Sequence, residues 1–283
     1  MSRLAKTASP RLVAASVLTG VIGHGALLLP ALAQDGAKSN PSLPDFSSNN
    51  TGWVSIGTDW VAVPGAPAPV TDDPAHPYVP NNTGRQPTFR VANVNNANLT
   101  QFAKDELKKS NDEVLRGKAM YARESRCWAT GVPTYLLNPA QPTFFLQTPD
   151  KVTMIWQMDH QVRHVYLNVP HSEKPKPSWY GESIGRYEGD TLVVDTVGQN
   201  TKTFVDSEAL HVVERYRLVD EGKMLQADVT IDDPAVFVQP LKVVHRWRRV
   251  QGPMIESSCA EGELGNPFQQ DVEPLPTAAK PDF

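Results

Sequence analysis

Seven histidines are spread along the sequence, and three of them, His160, His164 and His245, fall on segments whose alternation is otherwise apolar. Side chains alternate across an extended strand, so residue parity separates its two faces. Between Val152 and Asn168 one parity reads Val152, Met154, Trp156, Met158, His160, Val162, His164 and Tyr166, apolar at first and polar at one end. The opposite parity carries Thr153, Gln157, Asp159, Gln161 and Arg163 and reads as solvent-facing, with Ile155 the exception. Further along, Thr191, Val193, Asp195 and Val197 share a face. Glu208, Leu210, Val212, Glu214, Tyr216 and Leu218 share another, and Leu241, Val243, His245 and Trp247 a third. A charged or polar group on an apolar face is costly unless paired, so these groups are expected to find one another. A cluster of His160, His164, Asp195, Glu214 and His245 in one interior is the simplest arrangement. The plainer alternative is that each is a satisfied structural residue, with Glu214 paired to Arg186 or Arg215. His211 lies on the other face of its segment, beside Val213 and Arg215, and replaces Glu214 as the candidate if that face is the inner one.

Such a set suits general acid–base chemistry. His160 and His211 are the candidate proton carriers, because imidazole titrates near neutral pH. Glu214 or Asp195 would orient the imidazole, and Arg163 or Arg186 would stabilise a developing oxyanion. Elimination, isomerisation or hydrolysis of a small molecule all fit, and no organic cofactor is called for. His160 and His164 are a poor metal pair, since residues four apart on a strand lie about 13 Å from each other. A divalent metal would need ligands from neighbouring strands, such as His160, His245 and Glu214. Gly181-Glu182-Ser183-Ile184-Gly185 has the letters of a nucleophile elbow, but that turn needs a strand before it and a helix after it. Here a proline-rich segment precedes and a strand-like one follows. The rival to an enzyme is a calycin-like binding protein for an apolar or amphipathic ligand, in which the polar groups only anchor that ligand. A purely structural role would leave no cavity at all.

The elements that must position these residues are mostly strands. Phe144-Phe145-Leu146 opens the series, followed by Val152–Asn168, Ser183–Tyr187, Thr191–Val197, Glu208–Leu218, Met224–Ile231 and Leu241–Val250. Glu188-Gly189-Asp190 and Asp220-Glu221-Gly222 are tight hairpin signals. The spacing predicts an all-β fold with one N-terminal helix: an antiparallel meander, either a calycin-like barrel or a curved open sheet. The helix is expected over about Thr100–Tyr121, capped by Asn98 or Thr100, with Phe102, Leu107, Val114 and Leu115 as its apolar stripe and a break at Ser110-Asn111-Asp112. Residues 34–96 are rich in Pro, Asn, Gly, Ser and Thr and read as an extended wrapping segment. Within them Trp53–Ile56 and Trp60–Val63 are strand-like. The remaining boundaries are a helix-plus-barrel domain at 97–265 and a tail at 266–283.

The N-terminus reads as a secretory signal peptide over residues 1–33. Arg3, Lys6 and Arg11 precede a largely apolar stretch broken by Gly and Pro, and Ala31-Leu32-Ala33 presents small residues at −3 and −1. That places the protein in the periplasm or outside the cell, with no second apolar run to span a membrane. The remaining chain of about 250 residues suits one all-β domain. A net charge of −4 argues against nucleic acid as a partner and leaves a small-molecule ligand or substrate. In an oxidising compartment Cys127 and Cys259 would form a disulfide, the alternative being two buried thiols.

The run Trp179-Tyr180-Gly181-Glu182-Ser183-Ile184-Gly185-Arg186-Tyr187-Glu188-Gly189-Asp190-Thr191-Leu192-Val193-Val194-Asp195-Thr196 resembles the signature of a family of exported bacterial proteins. Asp159–Arg163, Leu210–Arg215 and Val229–Pro234 are similar to it as well, so the resemblance covers about residues 120–262. It implies export and cysteines at the positions of Cys127 and Cys259, but no reaction. The chemically capable positions that match are His160, Arg163, Tyr166, His171, Arg186, Asp195, Glu208, His211, Glu214 and Arg215. The chain departs from the pattern at His164, where relatives carry Arg, and at Ser207, where they have a longer loop.

Overall fold

A computed structural model describes residues 43–47, 51–57, 59–80, 83–86, 88–117, 128–137, 141–201 and 208–257. The expected signal peptide, Cys127 and Cys259, and the C-terminal tail lie outside the described residues. So does the end of the expected helix beyond Gly117.

Ten strands pair in the order β1-β3-β4-β5-β6-β7-β8-β9-β10-β2, and β1 also pairs with β10. They are β1 (Thr51–Ser55), β2 (Val61–Ala62), β3 (Thr143–Gln147), β4 (Lys151–Trp156), β5 (Gln161–Leu167), β6 (Glu182–Glu188), β7 (Thr191–Val197), β8 (His211–Val219), β9 (Met224–Asp232) and β10 (Leu241–Gln251). The double pairing of β1 closes a barrel from all of them except β2, so the fold is all-β with a closed, calycin-like barrel. Thr51↔Gln251 through Ser55↔Trp247 join it to β10, and Gly52↔Phe144 and Trp53↔Thr143 join it to β3. Gly52 sits where these neighbours converge, since a Cβ there would lie 2.9 Å from the Pro142 side chain. β2 extends the cover of the same edge of β10 through Val61 and Ala62. Both strand-like pieces of the Pro/Asn-rich N-terminal region therefore pair into the sheet, and closure removes the open edges a curved sheet would carry.

Two features differ from the expected meander. The stretch Val152–Asn168 is not one long strand but a hairpin, β4 and β5, joined through the 3-10 turn Met158–His160. Trp156 pairs with Gln161, Met154 with Arg163 and Val152 with Val165. The turn contains no Gly, Pro or Asn, and His160 itself takes the left-handed backbone (φ 47°) that such residues usually supply. Parity changes across it, so β4 buries Val152, Met154 and Trp156 while β5 buries Arg163, Val165 and Leu167. The second difference is that β5 and β6 run parallel, with Val165↔Ser183 and Leu167↔Gly185 in register. A parallel pair needs a crossover, and residues 168–181 form it.

The described helix, α1 (Gln101–Leu115), is capped by Thr100, whose hydroxyl accepts from the Ala103 amide. It continues through Ser110-Asn111-Asp112 without the expected break. Asn111 explains this: its side chain brackets Ala92 from outside, accepting from the amide and donating to the carbonyl. Of the expected stripe only Leu107 packs on the core while Phe102 and Leu115 are exposed, and the buried helix residue is Ala103, outside that stripe. No helix among the described residues is long and apolar enough to cross a membrane.

The barrel interior is filled by side chains. Trp53, Phe145, Met154, Val194, Val212, Leu225, Val229, Val243 and Trp247 all lie in the core. The void bounded by Trp53, Tyr135, Leu136, Phe145, Tyr216 and Trp247 measures about 10 Å³, room for about one water.

Candidate active site

Two polar assemblies use the same group of strands from opposite sides. Inside, Arg163 reaches across the barrel from β5 to Glu214 on β8. Its Nη1 donates to Oε1 at 3.0 Å and its Nη2 to Oε2 at 2.5 Å, a bidentate pair that is wholly buried. The remaining guanidinium hydrogens go to Ser183 Oγ (3.1 Å), Thr196 Oγ1 (2.8 Å) and the Tyr135 hydroxyl (2.7 Å). Tyr216 donates its proton to Glu214 Oε1 at 2.6 Å. Its oxygen is left as the acceptor at 3.0 Å from the Tyr135 hydroxyl, whose own proton turns toward it. Burial works against the Arg163 charge, but the Glu214 carboxylate outweighs it and holds the guanidinium well above its ordinary value. Burial pushes the Tyr135 phenol up to about 12, so it stays protonated. Every donor and acceptor of this pair is met by another buried group, the condition for an ion pair to survive in low dielectric.

Outside, the odd residues of β7 and β8 face away from the barrel. Asp195 on β7 accepts from two imidazoles through a single oxygen, Oδ1: His171 Nε2 at 2.9 Å and His211 Nε2 at 2.9 Å. His171, from the crossover, gives its other nitrogen, Nδ1, to Glu182 Oε1 at 3.0 Å. Ser172 completes the Glu182 shell with its amide and hydroxyl, each at 2.7 Å. Burial tends to raise the Asp195 carboxyl, but the hydrogen bonds from His171 and His211 prevail and hold it below the usual range. Glu182 is lowered too, chiefly by the Ser172 hydroxyl. Both carboxylates are held ionised and act as acceptors, and His171 lies between them with one ring nitrogen toward each. His211 carries its proton on Nε2, which leaves Nδ1 as the lone-pair nitrogen.

The expected interior cluster does not form. Glu214 and His245 do point inward, as parity required, but Asp195 belongs to the outer face, and His160, His164 and Tyr166 are exposed because parity changes at the β4–β5 turn. His160 Nε2 lies 3.3 Å from the Ile255 carbonyl, with no carboxylate partner among the described residues. His245 sits in the core against Trp60 and Trp247, with its Nε2 2.6 Å from Ser55 Oγ, and burial brings its pKa down to about 4. His160, His245 and Glu214 are thus held apart by different partners and cannot share an ion. No group of three or more metal-holding side chains occurs among the described residues.

Arg163, expected on the solvent face, is the central buried cation instead. Arg186 and Arg215 are surface residues that share Glu188, at 2.5 and 2.7 Å, and neither pairs with Glu214. Glu208 is exposed just before β8. Ser183 is no nucleophile elbow: it lies within β6, which continues as strand to Glu188, and it is buried and bonded to Arg163 and Thr196. The glycine before it, Gly181, is explained by geometry, since it has φ 63° and a Cβ would fall 2.4 Å from the Val197 carbonyl. Of the expected residues, His171, Asp195 and His211 come together outside and Arg163 and Glu214 inside. Glu182, Ser172 and Tyr135 were missed. Glu182 had a signal, since it shares the outer parity of β6 and sits beside the β7 residues that carry Asp195.

Comparison with known proteins adds no identity: no protein-family model matches the chain, and no curated protein matches it either.

Proposed function

We propose that the protein is an exported enzyme that transfers protons on a small-molecule substrate, as a lyase, isomerase or hydrolase, with its chemical centre on the outer face of the barrel. The observation that carries this reading is the His211–Asp195 pair at 2.9 Å, with His211 Nδ1 left free of protein partners among the described residues. An imidazole oriented by a carboxylate through one nitrogen presents the other as a general base. Asp195 fixes the tautomer and would stabilise the imidazolium as it forms. His171 is a positioning residue: held between Glu182 and Asp195, it sets Asp195 in place beside the reacting group. The alternative is a calycin-like binding protein whose apolar ligand enters the barrel, and the packing there is tight between Trp53, Tyr216 and Trp247, where the void measures about 10 Å³.

The test is turnover of a panel of aryl esters, uronides and β-hydroxycarbonyl compounds by the wild type, His211→Ala and Asp195→Asn. Losing a positioned base should lower the rate by roughly 100-fold or more. The melting temperatures should stay within a few degrees of the wild type, because both side chains are partly exposed. No turnover on the panel, or turnover indifferent to both substitutions, would overturn the reading.

A further inference from the structure

The crossover that makes β5 and β6 parallel does more than connect them. Its residues arch back over the outer face of β5 and leave a groove of about 620 Å³ between the two. A volume of that size suits a single small molecule. Its lining includes apolar and aromatic side chains from both sides, Val162 and Tyr166 from β5 and Trp179 and Tyr180 from the crossover. Val162 and Tyr166 are 43% and 49% exposed, unusual for such residues on a strand unless something covers them. Lys174 and Lys176 of the crossover also line it, and no ion pair is formed by either among the described residues.

Glu182 also lines this groove, yet its charge is already spent on three donors, the Ser172 amide and hydroxyl and His171 Nδ1. The free charge at the groove is therefore positive. Glu182 is the wall shared with the acid–base centre, since the carboxylate that lines the groove is the one that holds His171. The groove is also pre-formed. The crossover is anchored where the Ser178 amide donates to the Gly198 carbonyl (3.2 Å) and the Asn200 amide to the Ser178 carbonyl (2.9 Å). Pro175 packs so close to Gly198 that a Cβ there would meet it at 2.7 Å. A ligand entering such a site meets little ordering cost.

We infer that this groove, which Glu182 links to the acid–base centre, binds a molecule that combines a stacking ring with a carboxylate. The ring lies against Tyr166 and Trp179, and the carboxylate is received by Lys174 and Lys176. An aromatic acid and a uronic sugar both have this chemistry, because the apolar face of a sugar ring also stacks on aromatic side chains. The assignment rests on the proposed acid–base reading but is tested apart from it.

The probes are 2-naphthoate and methyl α-D-galacturonide, each against its neutral counterpart, 2-naphthylmethanol and methyl α-D-galactoside. Binding is followed by calorimetry and by the fluorescence of the Trp179 region, using the whole protein. At least one carboxylate should bind, and the tighter of the two identifies the source of the ring. Lys174→Ala combined with Lys176→Ala should weaken it about tenfold while changing the neutral counterpart less than twofold. Both lysines are exposed, so the double variant folds as the wild type does, and His211→Ala should bind with unchanged affinity. The inference is overturned if neither carboxylate binds, or if the double variant binds as tightly as the wild type. Binding without any His211-dependent turnover would sink the acid–base reading and leave the groove standing. Turnover that needs His211 but no carboxylate binding would do the reverse.

Discussion

The inner and outer faces of β6–β8 carry nearly the same chemistry and put it to opposite uses. Inside, the Arg163 guanidinium and the Glu214 carboxylate are sealed from water, and every hydrogen-bonding position is taken by Tyr135, Tyr216, Ser183 or Thr196. Outside, the Asp195 carboxylate shares one oxygen between His171 and His211 at about a third exposure, and one imidazole nitrogen remains open among the described residues. A saturated network has nothing left to offer a substrate. The unsaturated one does, and solvent screening makes it cheap to maintain. Burial alone is therefore a poor guide to function in this molecule: Arg163 and Tyr216 are both strongly perturbed, and both are structural.

The sharpest way to break this comparison is to remove one acid from each face. Glu214→Ala leaves the Arg163 charge buried and unpaired, which should cost about 3–5 kcal/mol of unfolding free energy. Asp195→Ala at a screened, partly exposed site should cost less than about 1 kcal/mol. Urea denaturation of both variants measures the difference, and equal losses would erase the distinction between the faces.

A second interior group gives a pH signature. The imidazole of His245 titrates near 6.5 when unfolded and near 4 when folded, because burial disfavours its charged form. Between those values the unfolded chain binds the extra proton. Stability contributed by the neutral ring is therefore full above about pH 6.5 and is lost as the pH falls toward 4, by on the order of 3 kcal/mol. His245→Gln, which cannot titrate, should flatten the pH dependence of the melting temperature in that window. An unaltered slope would mean that some other group carries it.

The smallest effect sharpens the description of the outer face. The stability difference between the wild type and His171→Ala should be a few tenths of a kcal/mol at low salt, and 1 M salt should reduce it further, since exposed pairs are screened. A loss unchanged by salt would show that His171 acts through packing rather than charge.

Local pattern made the strand content, the two glycine hairpins, the Thr100 cap and the inward face of β8 and β10 legible without any structure. Each of these depends on neighbours in sequence: the period-two alternation of Leu210, Val212, Glu214 and Tyr216, or the Gly189 that a tight turn needs. The same alternation misassigned the second half of Val152–Asn168. A four-residue turn free of Gly, Pro and Asn separates β4 from β5 there, and the parity beyond it changes. Arg163 thereby moved from the solvent to the core, and His160, His164 and Tyr166 moved out.

What only tertiary structure decided was partnership. Which face of β7 is inner depends on barrel closure through β1, which is set by pairings nearly 200 residues apart in the chain. Likewise, the meeting of His171, Asp195 and His211 depends on a crossover that folds back over the sheet. Side-chain type and spacing state what a residue could do. Desolvation and hydrogen-bond saturation, which are properties of the assembled fold, determine which of those residues remain free to do it.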